Sequence, residues 1–304
     1  MPCSSNRTRF RKAFTLLYSE DQIKGLRRVI GLALSYGGGA ILASAVEIAG
    51  CGDDVQARLA GFAVAPLDPV MRAAIRDAGH PAASNAATIT VLDAALGLAY
   101  ADAAVQARAI AGWKRKDVDA IGSRGAAVWL QASPVELAGA FVIGVMELGD
   151  ANGIAEALGV PVVSGFAARD LAAGGRGAPM EALADYLVFR DVKVNRMVQR
   201  AEQPGTGIWL PAGCGLDDVR VVPLESLSAL PDEVVLLHGG LEANCEGAMW
   251  RTMTPEAFGW PAESYDAAVY ALLADRTMQG LPGNLPLLTG AGRAVILGSV
   301  TPGR

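Results

Sequence analysis

The sequence predicts an α/β fold, and three observations carry that expectation. Short apolar runs of strand length alternate with longer stretches of helix length. Glycines, prolines and polar clusters separate them as turns. The chain has 304 residues, 52% hydrophobic and 19% charged, which is enough apolar material for two lobes.

The elements follow in order. Arg28–Leu34 (RVIGLAL) reads as a buried strand, Ser35-Tyr36-Gly37-Gly38-Gly39 as a glycine turn, and Ala40–Ile48 as the returning strand of a hairpin. Leu67–Ala78 reads as a helix. Asn85–Ala111 reads as a longer one in which Asp93 and Asp102 are the only acids. Asp117–Ile121 is a short strand behind a polar turn. Ala151–Leu158 is a helix stopped by Gly159, and Val160–Ser164 a buried strand. Residues 165–179 form a Gly-rich segment, Val234–Leu237 a further strand, Glu263–Gln279 a helix with an acidic start, and Gly280–Thr289 a turn-rich loop. A lobe boundary is expected near Pro179–Asp185. This gives a basic extension over 1–28, a first lobe over 29–180 and a second over 181–304. No repeat of fixed period is visible.

Charge and cysteine usage exclude several classes. The net charge is −5, yet residues 1–28 hold seven Lys/Arg against two acids. An acidic chain of this kind argues against nucleic acid as the main partner. The apolar stretch AFTLLY in the basic segment is too short for a signal-peptide core, and no run of about 18 apolar residues predicts a membrane span. Cys3, Cys51, Cys214 and Cys245 are scattered, and His80 and His238 lie far apart. Disulfide frameworks, thiolate zinc sites and H-E-x-x-H chemistry are therefore not expected, and a reduced, cytoplasmic setting is. The five tryptophans, Trp113, Trp129, Trp209, Trp250 and Trp260, read as core and lobe-packing residues.

Four motifs occur in one order. Asp119-Ala120-Ile121-Gly122-Ser123, with Val128-Trp129, matches A-I-G-x-H-G-Q-T-V-W, Arg124 standing at the histidine. Gly149-Asp150, Ile154-Ala155 and Gly159–Ser164 match G-D…I-A…G-I-P-V-V. Gly165 to Pro179 matches D-F-R-x-x-D-x-A-x-G-G-Q-G-A-P, with Gly165 at the first aspartate, Ala167 at the arginine and Arg176 at the glutamine. Gly280–Pro286 with Thr289-Gly290-Ala291 matches G-x-P-G-N-L-P-S-V-T-G-A, preceded by Tyr265–Ala271 and followed by Ile296-Leu297-Gly298.

Together these resemble the anhydro-N-acetylmuramic acid kinase family. The resemblance implies a two-lobed actin-like ATPase (ribonuclease H-like) fold with a reduced second lobe, like that of sugar kinases and heat-shock ATPases. It implies an enzyme that opens the 1,6-anhydro ring of an amino sugar with water and phosphorylates the freed O6, using ATP and Mg²⁺, in cell-wall recycling. A homodimer is expected by the same resemblance. It places Asp170 as the proton-accepting base, Arg169, Gly174, Gly175, Arg176 and Asp150 around the substrate, and Ser35, Gly37, Gly38, Gly39, Gly239, Gly240 and Asp266 around the nucleotide.

Each residue also has a plainer reading. Asp170 can cap a helix beginning at Leu171. Gly174, Gly175 and Gly177 can form an ordinary loop, Arg176 can be solvated, and His238-Gly239-Gly240 can be a strand-to-helix turn. The chain also departs from the family. Its first phosphate loop, Leu34–Leu42 (LSYGGGAIL), keeps the glycine richness of S-G-T-S-L-D-G-V-D but neither aspartate nor the threonine. No D-T-G-P-G-N occurs in the second lobe, where only Gly205-Thr206-Gly207 hints at a phosphate turn. A catalytically impaired relative that binds a sugar or nucleotide, or serves as a regulatory partner, is the alternative expectation.

Overall fold

The computed structural model describes residues 25–200, 203, 205–223, 231–237, 250–261 and 263–304. The chain opens with three antiparallel strands, β1 (Arg27–Leu34), β2 (Ala40–Ala49) and β3 (Gln56–Pro66). Arg27, expected in the N-terminal extension, instead begins β1, one residue before the expected strand start at Arg28. Arg27 also forms an ion pair with Asp275 far along the chain. All ten residues of β2 are buried, so it reads as a continuous apolar run rather than an alternation.

Helices α1 (Pro69–Ala78) and α2 (Ala86–Ile110) follow. The start of α2 is fixed by a reciprocal capping box between Asn85 and Thr88. By length and composition α2 is apolar enough to cross a membrane. However, it lays Leu92, Leu96, Tyr100, Ala103, Ala104 and Ala107 against the sheet at helical spacing, as a core helix does.

Next come β4 (Ala120–Ser123), the long hairpin β5 (Ala126–Leu137) and β6 (Ala140–Leu148), and helix α3 (Ala151–Leu158), which ends in left-handed Gly159. Strand β7 (Val162–Ser164) leads into α4 (Phe166–Leu171) and then α5 (Ala182–Phe189). Five short strands follow, β8 (Arg196–Arg200), β9 (Thr206–Leu210), β10 (Arg220–Pro223), β11 (Glu233–Leu237) and β12 (Arg251–Met253). Helices α6 (Ser264–Met278) and α7 (Pro286–Thr289) and strand β13 (Ser299–Thr301) complete the described elements.

The two larger sheets share one topology. The first runs β13-β7-β4-β1-β2-β3, the second β10-β9-β8-β11-β12. In the first, β1 is antiparallel to β2 and parallel to β4, and β4 is parallel to β7. In the second, β8 is antiparallel to β9 and parallel to β11, and β11 is parallel to β12. The unit β3-β2-β1-β4-β7 therefore recurs as β10-β9-β8-β11-β12, the duplication that defines the actin-like ATPase fold. The sequence showed no repeat because the duplication lies in hydrogen-bonding order and not in residue identity.

The expected boundary at residue 180 marks where the first sheet hands over to the second, but the chain later returns. Strand β13 pairs with β7 at the edge of the first sheet. Helix α6 lies on the same sheet, made possible by two glycines. A Cβ on Gly31 would meet the Ala267 carbonyl oxygen at 1.8 Å, and one on Gly122 would meet that of Tyr270 at 1.9 Å. With Tyr265 and Ala267–Ala274 all buried, α6 is apolar nearly all round, as a helix between two packed layers must be.

Candidate active site

A cavity of about 300 Å³ opens at the carboxyl ends of the parallel strands β4 and β7, the place where open α/β sheets bind ligands. Its size suits a small molecule. Ser123, Arg124 and Gly125 leave β4 into it, and Ser164 and Gly165 leave β7. Glu147 comes from the end of β6, Asp150 from the start of α3, and Ala168 from α4. Asp93 braces the rim from α2, its carboxylate accepting the Gly149 N–H at 2.7 Å.

The cavity is strongly charged. Arg124 is open to water within the concavity, yet protein surrounds it and the Tyr270 ring lies 5.7 Å away. Tyr270 is the largest influence keeping Arg124 protonated, opposed by burial and assisted by Glu181 and Glu147. Burial pushes the Glu147 carboxyl up to about 7, with Arg124 pulling it partly back. Burial would also raise Asp150. Its oxygens, however, accept the Asn152 and Gly153 backbone N–H groups and the Asn152 side-chain amide, which hold it below the usual carboxylate range. Among the described residues the buried Ser123 Oγ and Tyr100 Oη have no hydrogen-bond partner.

Behind Arg124 a buried polar chain runs toward the second sheet. The Tyr270 hydroxyl donates to Glu181 at 3.3 Å. Arg200, at the end of β8, grips Asp185 of α5 with two 2.6 Å bonds, and the Tyr265 hydroxyl donates to the same carboxylate at 2.9 Å.

Of the residues expected at the substrate, Asp150 lines the cavity and the rest do not. Asp170 is fully buried. Its Oδ1 accepts from Asn284 Nδ2 at 2.8 Å and from the Thr289 hydroxyl at 2.9 Å, and its Oδ2 accepts from the Gly177 N–H at 2.9 Å. In this geometry the Asp170 carboxylate, expected to take a proton from water, meets no solvent, and three donors engage its oxygens. Nor does it cap a helix start, because it lies near the end of α4. Gly175 is glycine because a Cβ would meet Asp170 Oδ2 at 2.1 Å. Arg176 donates to the Leu288 carbonyl at 2.8 Å, and Gly174 and Arg169 sit beside this joint without lining the cavity. The motif position that does face the cavity is Gly165, where the family pattern has aspartate.

The expected nucleotide residues divide. Ser35 closes the β1–β2 turn, its hydroxyl accepting the Ala40 N–H at 3.0 Å. Around Gly37, Gly38 and Gly39 an added Cβ would meet nothing within 4 Å, so the turn backbone is open to solvent. Asp266 sits in the first turn of α6, while Gly239 and Gly240 lie outside the described residues. Among the described residues no group of three or more His, Cys, Asp or Glu could hold a metal ion. The Ser35–Gly39 turn itself carries no carboxylate that could hold Mg²⁺. Trp260 and Trp113 are buried as expected, whereas Trp129 is 46% exposed on the β5–β6 hairpin.

A duplicated ribonuclease H-like core with a charged, ligand-sized cavity at the strand ends of its first lobe defines the sugar-kinase and actin class of two-lobed ATPase folds. Within that class the chain belongs to the anhydro-N-acetylmuramic acid kinase family, whose sequence profile matches residues 28–201 and 234–303. The anhydro-N-acetylmuramic acid kinase of Salinibacter ruber is 34% identical over 194 residues, 64% of this chain and 49% of that protein. That of Caldanaerobacter subterraneus is 28% identical over 77% of this chain and 58% of its own length. The chain thus matches only about half the length of these curated relatives. The alignment with the Streptomyces coelicolor kinase covers 91% of this chain and 94% of the relative, at 28% identity over 378 positions. That span exceeds the 304 residues of this chain, so the relative carries segments that are lacking here.

Proposed function

We propose that the protein is an amino-sugar kinase that binds 1,6-anhydro-N-acetylmuramic acid in the first-lobe cavity, opens the anhydro ring with water and phosphorylates O6. ATP is the phosphoryl donor, used with Mg²⁺, and the setting is cytoplasmic. A homodimer is the expected assembly. One observation carries the reading: the cavity is built from the motif-bearing segments, with Ser123 and Arg124, Asp150 and Gly165 meeting at one set of strand ends. Arg124 supplies a planar donor for the lactyl carboxylate or ring oxygens of such a sugar. The Ser35–Gly39 turn offers backbone to phosphate, and no step is assigned to the metal.

The test is incubation of the protein with the anhydro sugar and ATP·Mg, with mass detection of the 6-phosphate, alongside calorimetric titration of the sugar alone. The expected result is product together with one-to-one sugar binding. Binding without product at high enzyme concentration would leave a sugar-binding protein and remove the turnover. Failure of both would end the reading.

A further inference from the structure

We infer that Glu147 is the proton-accepting residue of the cavity, acting on the attacking water, with Ser123 as the neighbouring hydroxyl that contacts the sugar. This rests on the amino-sugar reading and adds to it the residue that the motifs do not supply. Three carboxylates line the cavity, and two are committed. Asp93 holds the Gly149 N–H, and Asp150 caps α3. Glu147 has no hydrogen-bond partner among the described residues and lines the cavity from the penultimate position of β6. Asp170 is closed off, and Gly165 brings no side chain at all.

A second observation points to a ligand at the same spot. Ser123 is 1% exposed, its Oγ is unpartnered, and it lines the cavity beside Arg124. A buried hydroxyl left unpaired is costly, so an orphan on a residue that lines a cavity points to a ligand's polar group beside it. The groups facing Glu147 are Arg124 from the end of β4, Tyr100 from α2 and Tyr270 from α6, with Asp93 and Asp150 on the cavity wall. Burial against this set outweighs Arg124 and brings the carboxyl near neutrality, the range that suits a general base.

In the step assigned to Glu147, a water oxygen bonds to C1 of the anhydro sugar and one water proton passes to a Glu147 oxygen. The C1–O6 bond breaks and its electron pair goes to O6, which attacks the γ-phosphorus of the nucleoside triphosphate as the β,γ-bridging P–O bond breaks and the nucleoside diphosphate leaves. Glu147 then returns its proton to solvent through the cavity mouth.

The experiment compares wild type, Glu147→Gln and Arg124→Gln for product formation between pH 5.5 and 8.5, with sugar affinity measured without nucleotide and folding checked by circular dichroism. Glu147→Gln is expected to lose about 100-fold or more in kcat/KM and to change sugar affinity by less than about tenfold. The wild-type profile should rise with pH through a midpoint near 7, and Arg124→Gln should move that midpoint upward. An active wild type with Glu147→Gln close to it in rate, or with the same rising limb surviving in that variant, overturns the Glu147 assignment alone. A folded wild type that makes no product removes the turnover, and the assignment falls with it.

Discussion

The Asp170 carboxylate accepts the Asn284 side-chain amide at 2.8 Å across 114 positions of sequence. With Thr289 and Gly177 as further donors, this fully buried group ties α4, the Gly-Gly-Arg-Gly loop and the segment around α7 into one joint. Asp170→Ala would orphan three donors at about 1–3 kcal/mol each. It should lower stability by several kcal/mol in urea unfolding, and Asn284→Ala should do so by less. A fully stable Asp170→Ala protein would refute the joint.

The seating of α6 depends on Gly31 and Gly122. Either glycine changed to Ala drives a methyl group into a backbone carbonyl less than 2 Å away. A rigid core resists such a shift at a cost of roughly 1–3 kcal/mol or more. Both variants should melt lower than wild type, whereas Gly39→Ala, where space is open, should change little.

Asp185 and Arg200 form a doubly bonded buried pair connecting α5 to the second sheet. Arg200→Met would leave Asp185 buried with only the Tyr265 hydroxyl, an imbalance worth about 3–5 kcal/mol. Asp185→Asn combined with Arg200→Met should recover part of the loss. Denaturant titration of the four proteins gives the coupling energy, and strict additivity would contradict the pairing.

Glu147 also predicts a pH effect on folding. Its folded carboxyl lies near 7 against an ordinary 4.5. Between those values the native state binds a proton that the unfolded state has released, so its contribution to stability declines as pH rises through that window and levels off above it. For this partly exposed group the loss is at most about 3 kcal/mol. Glu147→Gln should therefore gain stability relative to wild type between pH 5 and 8, read as a widening difference in denaturation midpoint. A constant difference would contradict the raised carboxyl.

Much of the first lobe was legible. The β1–β2 hairpin, α2, α3 with Gly159 as its stop and the span of α6 all follow from period and punctuation. The β5–β6 hairpin escaped because its two-residue turn is Ala138-Gly139, both at positive φ, where Asn-Gly or Gly-Gly is the usual signal. Missing that hairpin hid Glu147. The burial of Asp170 was equally invisible, because two of its donors lie more than 100 positions away. Local chemistry marks a carboxylate beside glycines, and only the folded chain decides whether it meets water.

The most direct measurement of the central claim is titration calorimetry of 1,6-anhydro-N-acetylmuramic acid, without nucleotide, against wild type and Ala168→Phe, a substitution that fills the cavity from its wall. Stoichiometric binding to wild type and its loss in a folded Ala168→Phe protein is the predicted result. Equal binding to both proteins, or none to wild type, would contradict it.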